Sequence, residues 1–239
     1  MKKVQLYCIT HRPYGGLPDN SVTKPLLVGM DNANIDLKIR DYYPEFSKMN
    51  LYWNELEAIY YIWKNVDTPI KGQYQYSCRP ILGAKTINKY LKTNDFLVHI
   101  DLVKNLRKQF EQYHGSELFD LLIDVVRELH GDEISNDVIE KFSNSTILIS
   151  RNIFICTKEK YDEYCEFLFP IIFRITERLG FNSMADIEDY LRKRGCPENM
   201  LRYQSRIAGF LAERIFTLYL VWKQATVFLP EYKRFNKVI

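Results

Sequence analysis

The sequence predicts an α/β protein, with a mixed β-sheet and flanking helices in the first half and a helix-rich second half. Three observations predict this class. Short apolar, β-prone runs at 4–10, 72–78, 95–100, 146–149 and 152–156 alternate with amphipathic stretches. Beyond residue 156, two long stretches carry apolar residues at three- and four-residue steps. Gly/Pro clusters punctuate the first half, and no internal repeat or low-complexity segment interrupts the pattern. With 239 residues, 46% of them hydrophobic, a single domain over 1–239 can bury a substantial core. It divides into a sheet-bearing part, 1–156, and a mainly helical part, 157–239.

Residues 4–10 read as a buried first strand. The loop after it, His11-Arg12-Pro13-Tyr14-Gly15-Gly16-Leu17-Pro18, is shaped by two glycines and two prolines. It lies at the carboxyl end of that strand, where open α/β sheets place ligands. Residues 25–29 form another short apolar run, and 31–46 show no period and read as a long excursion. Residues 50–65 predict one helix of about four turns. Asn50 would be its N-cap and Tyr52, Leu56, Ile59 and Trp63 its core stripe. Glu55 falls on the flank of that stripe, either as a salt-bridge partner at the core edge or as a carboxylate facing a cleft.

The tyrosine-rich segment 72–78 alternates as a strand and is closed by Arg79-Pro80; 95–100 is a second buried strand. Segments 102–113 and 117–130 are amphipathic helices with solvated charged faces. Ser150-Arg151 separates two short β-prone runs. Residues 158–179 predict a long helix with Tyr161, Cys165, Leu168, Ile172 and Ile175 toward the core, kinked at Pro170 and stopped by Gly180. Ser183 caps a short charged helix over 184–194, and 226–229 reads as a last edge strand.

Pro197 and Asn199 introduce what the periodicity predicts to be one uninterrupted helix over 199–222. Ile207, Leu211, Ile215, Leu218 and Trp222 form its apolar stripe. Arg202, Arg206, Gly209 and Glu213 recur on another. Charges held near a core must be paired or must face a ligand. A structural Arg206–Glu213 ion pair and a ligand-facing pair both meet that condition.

Composition and missing motifs exclude several classes. The formal charge of +3 is spread along the chain, which argues against nucleic-acid binding. The N-terminus lacks the apolar run of a signal peptide, and no window reaches the length of a membrane span, so a cytosolic protein is expected. The basic and aromatic stretch 232–239 is either a solvated tail or a peripheral contact with an anionic membrane surface. Five cysteines without CxxC spacing are expected as free thiols, most of them buried, and the four histidines have no metal-ligand spacing. Phosphate-binding P-loops, dinucleotide glycine fingerprints and nucleophilic serine elbows are absent. No Asp-x-Asp clamp stands at a strand end, and Asp186-Ile187-Glu188 lies in a charged helix. His99-Ile100-Asp101 is the one strand-end candidate for a divalent metal, and no metal ligand is assigned. The 17 tyrosines and 14 phenylalanines suit sugar and nucleotide clefts and ordinary cores alike.

Four stretches together resemble a family of bacterial glycosyltransferases of capsule, exopolysaccharide and O-antigen synthesis, once catalogued as a domain of unknown function and associated with galactofuranose transfer. They are Thr10-His11-Arg12-Pro13-Tyr14 with Leu17-Pro18; residues 47–65, including Asn50, Glu55, Leu56, Ala58, Tyr60, Trp63, Lys64 and Asn65; Asn152-Ile153-Phe154-Ile155 with 164–169; and residues 204–214. They span nearly the whole chain in the family's order. The family's Gly-Asp-Asn run before residue 47 has no clear equivalent. Its His-Tyr-Arg-Arg strand end is replaced by Gln75-Tyr76-Ser77-Cys78, with Arg79 nearby.

The resemblance implies a GT-A-like transferase that takes a UDP-sugar, UDP-galactofuranose first, and a lipid-linked or oligosaccharide acceptor. Without a metal clamp, arginines must neutralise the diphosphate, since the guanidinium fork matches phosphate oxygens. On this reading Arg206 serves the diphosphate, with Arg79 second. Glu213 is the base, with Glu55 in reserve. Thr10, His11 and Tyr14 take the uridine and Tyr76 borders the donor site. Asn152 bonds the sugar, and Gly209 lets the donor approach the helix. The rival readings are an inactive relative serving as a binding or scaffold subunit of a polysaccharide assembly complex, and a helical interaction protein whose charges are all structural.

Overall fold

The computed structural model describes residues 1–12 and 14–234. In chain order the elements are β1 (Val4–Thr10), β2 (Thr23–Leu27), α1 (Pro44–Lys48), α2 (Asn50–Trp53), α3 (Leu56–Asn65), β3 (Ile70–Gln75), β4 (Cys78–Pro80), α4 (Ala84–Tyr90), β5 (Phe96–Leu102), α5 (Leu106–His114) and α6 (Ser116–His130). They continue with α7 (Asn136–Ser143), β6 (Ile147–Thr157), α8 (Lys158–Leu179), α9 (Met184–Lys193), α10 (Glu198–Gln204), α11 (Ile207–Lys223), β7 (Val227–Phe228) and β8 (Tyr232–Arg234). The class is the expected one: a mixed sheet flanked by helices, ordered β2-β1-β3-β6-β5-β7, with β4 and β8 branching from β3. Strand β1 runs parallel to β2 and β3, while β6 is antiparallel to β3 and β5.

Alternation along the strands feeds two cores. Tyr7, Ile9, Phe96, Val98, Phe154 and Cys156 face the larger one, which holds the buried sides of α3, α6, α8 and α11. Leu6, Cys8, Leu97, Ile153 and Ile155 face the opposite, smaller core, closed by Ile87 of α4 and by Phe228 and Tyr232 near the chain end. Both faces of the sheet are thus covered, which explains why its central strands read as continuous apolar runs. One cation is built into this frame. Lys71 on β3 is fully buried, and its Nζ donates to the Ile62 and Val66 carbonyls at the end of α3 and to Asp162 Oδ1 on α8 at 2.9 Å. All five cysteines are free thiols, with Cys196 half-buried and the others buried.

Helix α8 matches its expected span. Thr157 caps it, Gly180 ends it in the left-handed region, and the five expected core residues are all buried. It runs on through Pro170, which lies on the exposed face. The carbonyl freed four residues earlier, at Glu166, belongs to another exposed residue. Ser183 and Asp186 form a reciprocal capping box at the start of α9.

Several expectations fail for local reasons. The single helix over 199–222 is two helices, broken at Ser205–Arg206. Ser205 Oγ donates back to the Leu201 carbonyl at 2.8 Å, a bond that competes with the helical ladder, and Arg206 at ψ 30° re-aims the chain. The helix over 50–65 is likewise divided. Asn54, at φ 52° and ψ −125°, separates α2 from α3, and Asn50 is not a cap but donates to Glu57 Oε1 at 2.6 Å. The two runs around Ser150-Arg151 are one strand, β6, carrying an irregularity. The strand over 72–78 stops at Gln75, turns through Tyr76-Ser77 and pairs back from Cys78. The helix expected from 102 starts at Leu106, because β5 extends to Leu102. Helices α4 and α7 lie in segments whose periodicity predicted no element. Of the stretch 232–239, Tyr232–Arg234 pairs with β4 as β8, and 235–239 lie outside the described residues.

Candidate functional site

Parallel pairing brings the carboxyl ends of β1 and β3 to the same edge of the sheet, with Ile9 opposite Gln75. Beyond that edge lie two cavities of about 500 and 540 Å³. They share Asn54, Glu55, Gln75, Arg151, Tyr203 and Arg206, and so form two arms of one cleft meeting at a seam. The first arm continues between β6, α5 and α11. The second runs over the end of β1 and is lined there by Thr10, His11 and Tyr76.

The seam is assembled from irregular backbone. Between the Val98–Phe154 and Ile100–Ile149 pairs, β6 carries more residues than β5, and Arg151 and Asn152 take up the excess at φ 63° and 51°. Each flank of this bulge is tied down. Arg151 N–H donates to Glu213 Oε1 at 2.6 Å, and Asn152 Nδ2 donates to the Gly209 carbonyl at 3.2 Å. From β3, Gln73 and Gln75 donate to the Asn152 and Arg151 carbonyls. Asn54, the third left-handed residue at the seam, packs on Gly209. A Cβ added there would lie 3.1 Å from Asn54 Nδ2 and 3.2 Å from its Cβ. Gly209 therefore admits Asn54 to the helix, and the close approach expected for a donor is taken by this side chain.

The carboxylates differ in what holds them. Glu213 is committed on both oxygens, to the Arg151 amide and, at 2.8 Å, to Arg214 Nη1. Burial pushes its pKa up, and Arg214 and the Arg151 amide pull it back. The Arg206–Glu213 ion pair, one of the two readings the sequence left open, is thus replaced by a pair with the next residue, the buried Arg214, which also donates to the Phe210 carbonyl and to Gln109. Arg206 instead donates to Asn54 Oδ1 at 2.8 Å. Glu55 stands between the arms and accepts from Gln75 Nε2 at 2.6 Å. Burial raises its pKa, with Arg206, Asn152 and Gln75 opposing.

Cations gather on the second arm and the seam. Arg151, Arg202 and Arg206 line it, and Arg151 Nε is buried without an acceptor among the described residues. The break before α11 also leaves that helix's amino end, without a side-chain cap, beside the cleft, where the helix dipole favours an anion. Tyr76 stacks on Tyr14, their ring centres 3.7 Å apart, and His11 meets both rings edge-on. Tyr14 thus backs the wall that Tyr76 presents. Arg79 is directed elsewhere: it donates to the carbonyls of Tyr76 and Gly16 and lines neither arm. Of the site residues expected from sequence, Thr10, His11, Tyr76, Glu55, Asn152, Arg206, Gly209 and Glu213 meet at the cleft. Arg151, Asn54, Gln75 and Arg214 were missed. Asp101 lines the first arm, but among the described residues no three His, Cys, Asp or Glu side chains gather as a metal-ion site.

A sheet with a cleft at the carboxyl ends of its parallel strands is the glycosyltransferase-like fold anticipated above. The fold is shared with the solved apo structure of WbbM, a bifunctional glycosyltransferase, at a TM-score of 0.74 and 21% identity. The match covers 99% of this chain and 48% of that one, so the chain spans about half the length of WbbM. Residues 5–224 match the family described as a domain of unknown function, DUF4422, and the chain belongs to that family. No curated protein sequence matches it. No helix among the described residues is long and apolar enough to cross a membrane.

Proposed function

We propose that the chain is a glycosyltransferase that moves a sugar from a nucleotide-diphosphate donor to a saccharide acceptor. The observation that carries this reading is the two-armed cleft, with arginines along one arm and at the seam and a half-buried carboxylate, Glu55, where the arms meet. The fold shared with a bifunctional glycosyltransferase supports it. In this reading the donor lies along the second arm, its base near Thr10, His11 and the Tyr14–Tyr76 stack. Arg206 and Arg151 face the diphosphate, and Asn152 bonds the transferred sugar. The family resemblance makes UDP-galactofuranose the first donor to try, and the acceptor a lipid-linked or growing surface polysaccharide.

Transfer forms a bond between the acceptor oxygen and the anomeric carbon as the bond to the diphosphate oxygen breaks. The acceptor proton needs a base, and the departing diphosphate needs positive charge. Glu55 is the better base, because its named hydrogen-bond partners are neutral amides and it borders both arms. Glu213, consumed by Arg214 and the Arg151 amide, positions the bulge.

Thermal stabilisation by UDP, UDP-galactofuranose, UDP-galactopyranose and GDP, with and without EDTA, tests the reading. A ligand at one hundred times its Kd stabilises the folded state by about 2.7 kcal/mol. A shift with uridine nucleotides that is lost in Arg206→Ala is expected. If EDTA abolishes the shift, a divalent ion shares the diphosphate. No shift with any nucleotide at millimolar concentration would sink the transferase reading in favour of a binding subunit.

A further inference from the structure

The two arms differ in chemistry beyond the seam. The second arm adds Arg202 and His11 to the shared arginines. The first adds two carboxylates, Asp101 and Glu213, and one guanidinium, Arg214. That guanidinium is already spent on Glu213, Gln109 and the Phe210 carbonyl. His114 brings no charge either. It is half-buried against Phe110 and Phe210, and desolvation there, with Arg214 nearby, holds its pKa down at about 4. Beyond the seam arginines it shares with the second arm, the first arm therefore offers no unengaged cation, and its Asp101 carboxylate accepts no hydrogen bond from the described residues.

Its walls are aromatic. Tyr113 and Tyr203 are 50% and 44% exposed, yet both line the cavity, and Phe210 lies 5.1 Å from Tyr203, ring centre to ring centre. Exposed tyrosines at a cavity wall combine an apolar ring face with a polar tip. That combination fits the C–H face and hydroxyl rim of a pyranose or furanose ring. Asp101 supplies an acceptor for sugar hydroxyls, and Gln109, whose carbonyl oxygen is held by Arg214, keeps its amide donors for a ligand.

We infer that the first arm is the acceptor subsite, that it seats an uncharged sugar against Tyr113, Tyr203 and Phe210, and that Asp101 disfavours acidic sugars. This rests on the transferase reading and assigns direction to it: nucleotide in the cationic arm, acceptor in the aromatic, acidic one. A negatively charged residue such as a hexuronic acid would meet Asp101 while the cations lining the same arm are engaged, Arg214 by Glu213 and, on the transferase reading, Arg151 and Arg206 by the diphosphate, and like charges brought together disfavour binding.

Saturation-transfer NMR on the full chain, with UDP present, tests this with lactose as the neutral probe and glucuronic acid as the acidic one, both at millimolar concentration. Lactose is expected to give transfer and glucuronic acid none. Tyr113→Ala should weaken lactose by about tenfold, or about 1.4 kcal/mol, while Tyr113→Phe retains most of it. Tyr113 lines only the first arm, so the UDP thermal shift should be the same in both variants as in the parent. Asp101→Asn should admit glucuronic acid. The inference is overturned if lactose gives no transfer, if Tyr113→Ala leaves its affinity unchanged, or if glucuronic acid binds the parent as well as lactose does. A missing UDP shift alongside Tyr113-dependent lactose binding would remove the transferase reading and keep the saccharide site, so the two failures are told apart.

Discussion

Replacing Gly209 by alanine sets two effects of known sign against each other. In a helix interior, alanine is favoured over glycine by about 1 kcal/mol. Gly209 is the third residue of α11 and buried, and the new Cβ would lie 3.1 Å from Asn54 Nδ2, 3.2 Å from Asn54 Cβ and 3.4 Å from Asn54 Cγ. Asn54 has little freedom to retreat. Its backbone is at φ 52°, its Nδ2 donates to the Leu51 and Tyr52 carbonyls, and its Oδ1 accepts from Arg206. Overpacking of this kind costs about 1–3 kcal/mol, so the balance is a net loss of roughly 1 kcal/mol. In a chain of this size that lowers Tm by about 2–4 °C. The larger consequence falls on Arg206, which loses its fixed acceptor when Asn54 moves, so UDP affinity should fall more than stability does. Urea unfolding and isothermal titration with UDP measure the two quantities separately. A Gly209→Ala protein that is more stable than the parent and binds UDP equally well would refute the claim that Gly209 exists to admit Asn54.

Three further substitutions separate chemistry from scaffolding. Glu55→Gln should keep the UDP-induced thermal shift and lose sugar transfer by at least about a hundredfold, the lower range for general-base catalysis; unchanged turnover would remove Glu55 from the mechanism. Glu213→Gln should instead cost about 3 kcal/mol in urea unfolding, because it strands the buried Arg214, and a variant as stable as the parent would refute the positioning role. Lys71→Met, far from the cleft, should cost a similar amount by leaving the Ile62 and Val66 carbonyls without their donor, with UDP affinity unchanged once the protein is folded. Glu57 predicts a pH dependence. Burial lifts its pKa to about 7 against the opposing bonds from Asn50, the Gly29 amide and Ser47. The folded state therefore holds this proton more tightly than the unfolded chain. Its contribution is full below the ordinary carboxyl range and is lost as pH rises toward 7. Stability should fall between about pH 5 and 7, and Glu57→Gln should flatten that slope in urea titrations at several pH values.

The legible parts of the fold are those where one period runs without interruption. Helix α8 carries its cap, core stripe and stop signal in the sequence, and the alternation of β1 shows two buried faces. The cleft was legible at the end of β1 and along α11, where Thr10, His11, Arg206 and Glu213 stand out by position or charge. The breaks were not. Neither Asn54 nor the Arg151-Asn152 pair is a glycine or proline; asparagine tolerates positive φ, but many asparagines sit elsewhere, so the left-handed turns carry only a weak local signal and periodicity runs through them. Ser205 could have been read as a helix-bending residue, since serine bonds back to the carbonyl four residues earlier. Glu57 was hidden for a different reason. On the helix it occupies an ordinary polar position, and only the return of the Gly29 loop and of Ser47 onto it buries its charge.

Among the described residues, non-glycine positions with positive φ are Asn54, Arg151, Asn152 and Gln224, and the first three meet at the seam. A left-handed backbone costs a side-chain-bearing residue about 1–2 kcal/mol, so their concentration calls for a compensating force. It comes from three directions: α11 supplies Glu213 and the Gly209 carbonyl, β3 supplies Gln73 and Gln75, and Asn54 is held by its own helix and by Arg206. Straightening β6 would break the Arg151 amide bond to Glu213, withdraw Asn152 from Gly209 and carry the Arg151 side chain out of the cleft. The same bonds that maintain the irregular backbone therefore fix the guanidinium with the orphaned Nε beside Glu55 and Arg206. Those bonds are all made within the protein, so on the proposed reading the charges at the seam are held independently of a diphosphate, and binding need not meet the cost of gathering them. If the chain is the transferase proposed above, Glu213, with both carboxylate oxygens committed to the Arg151 amide and Arg214, should matter to transfer as much as a residue that touches the donor.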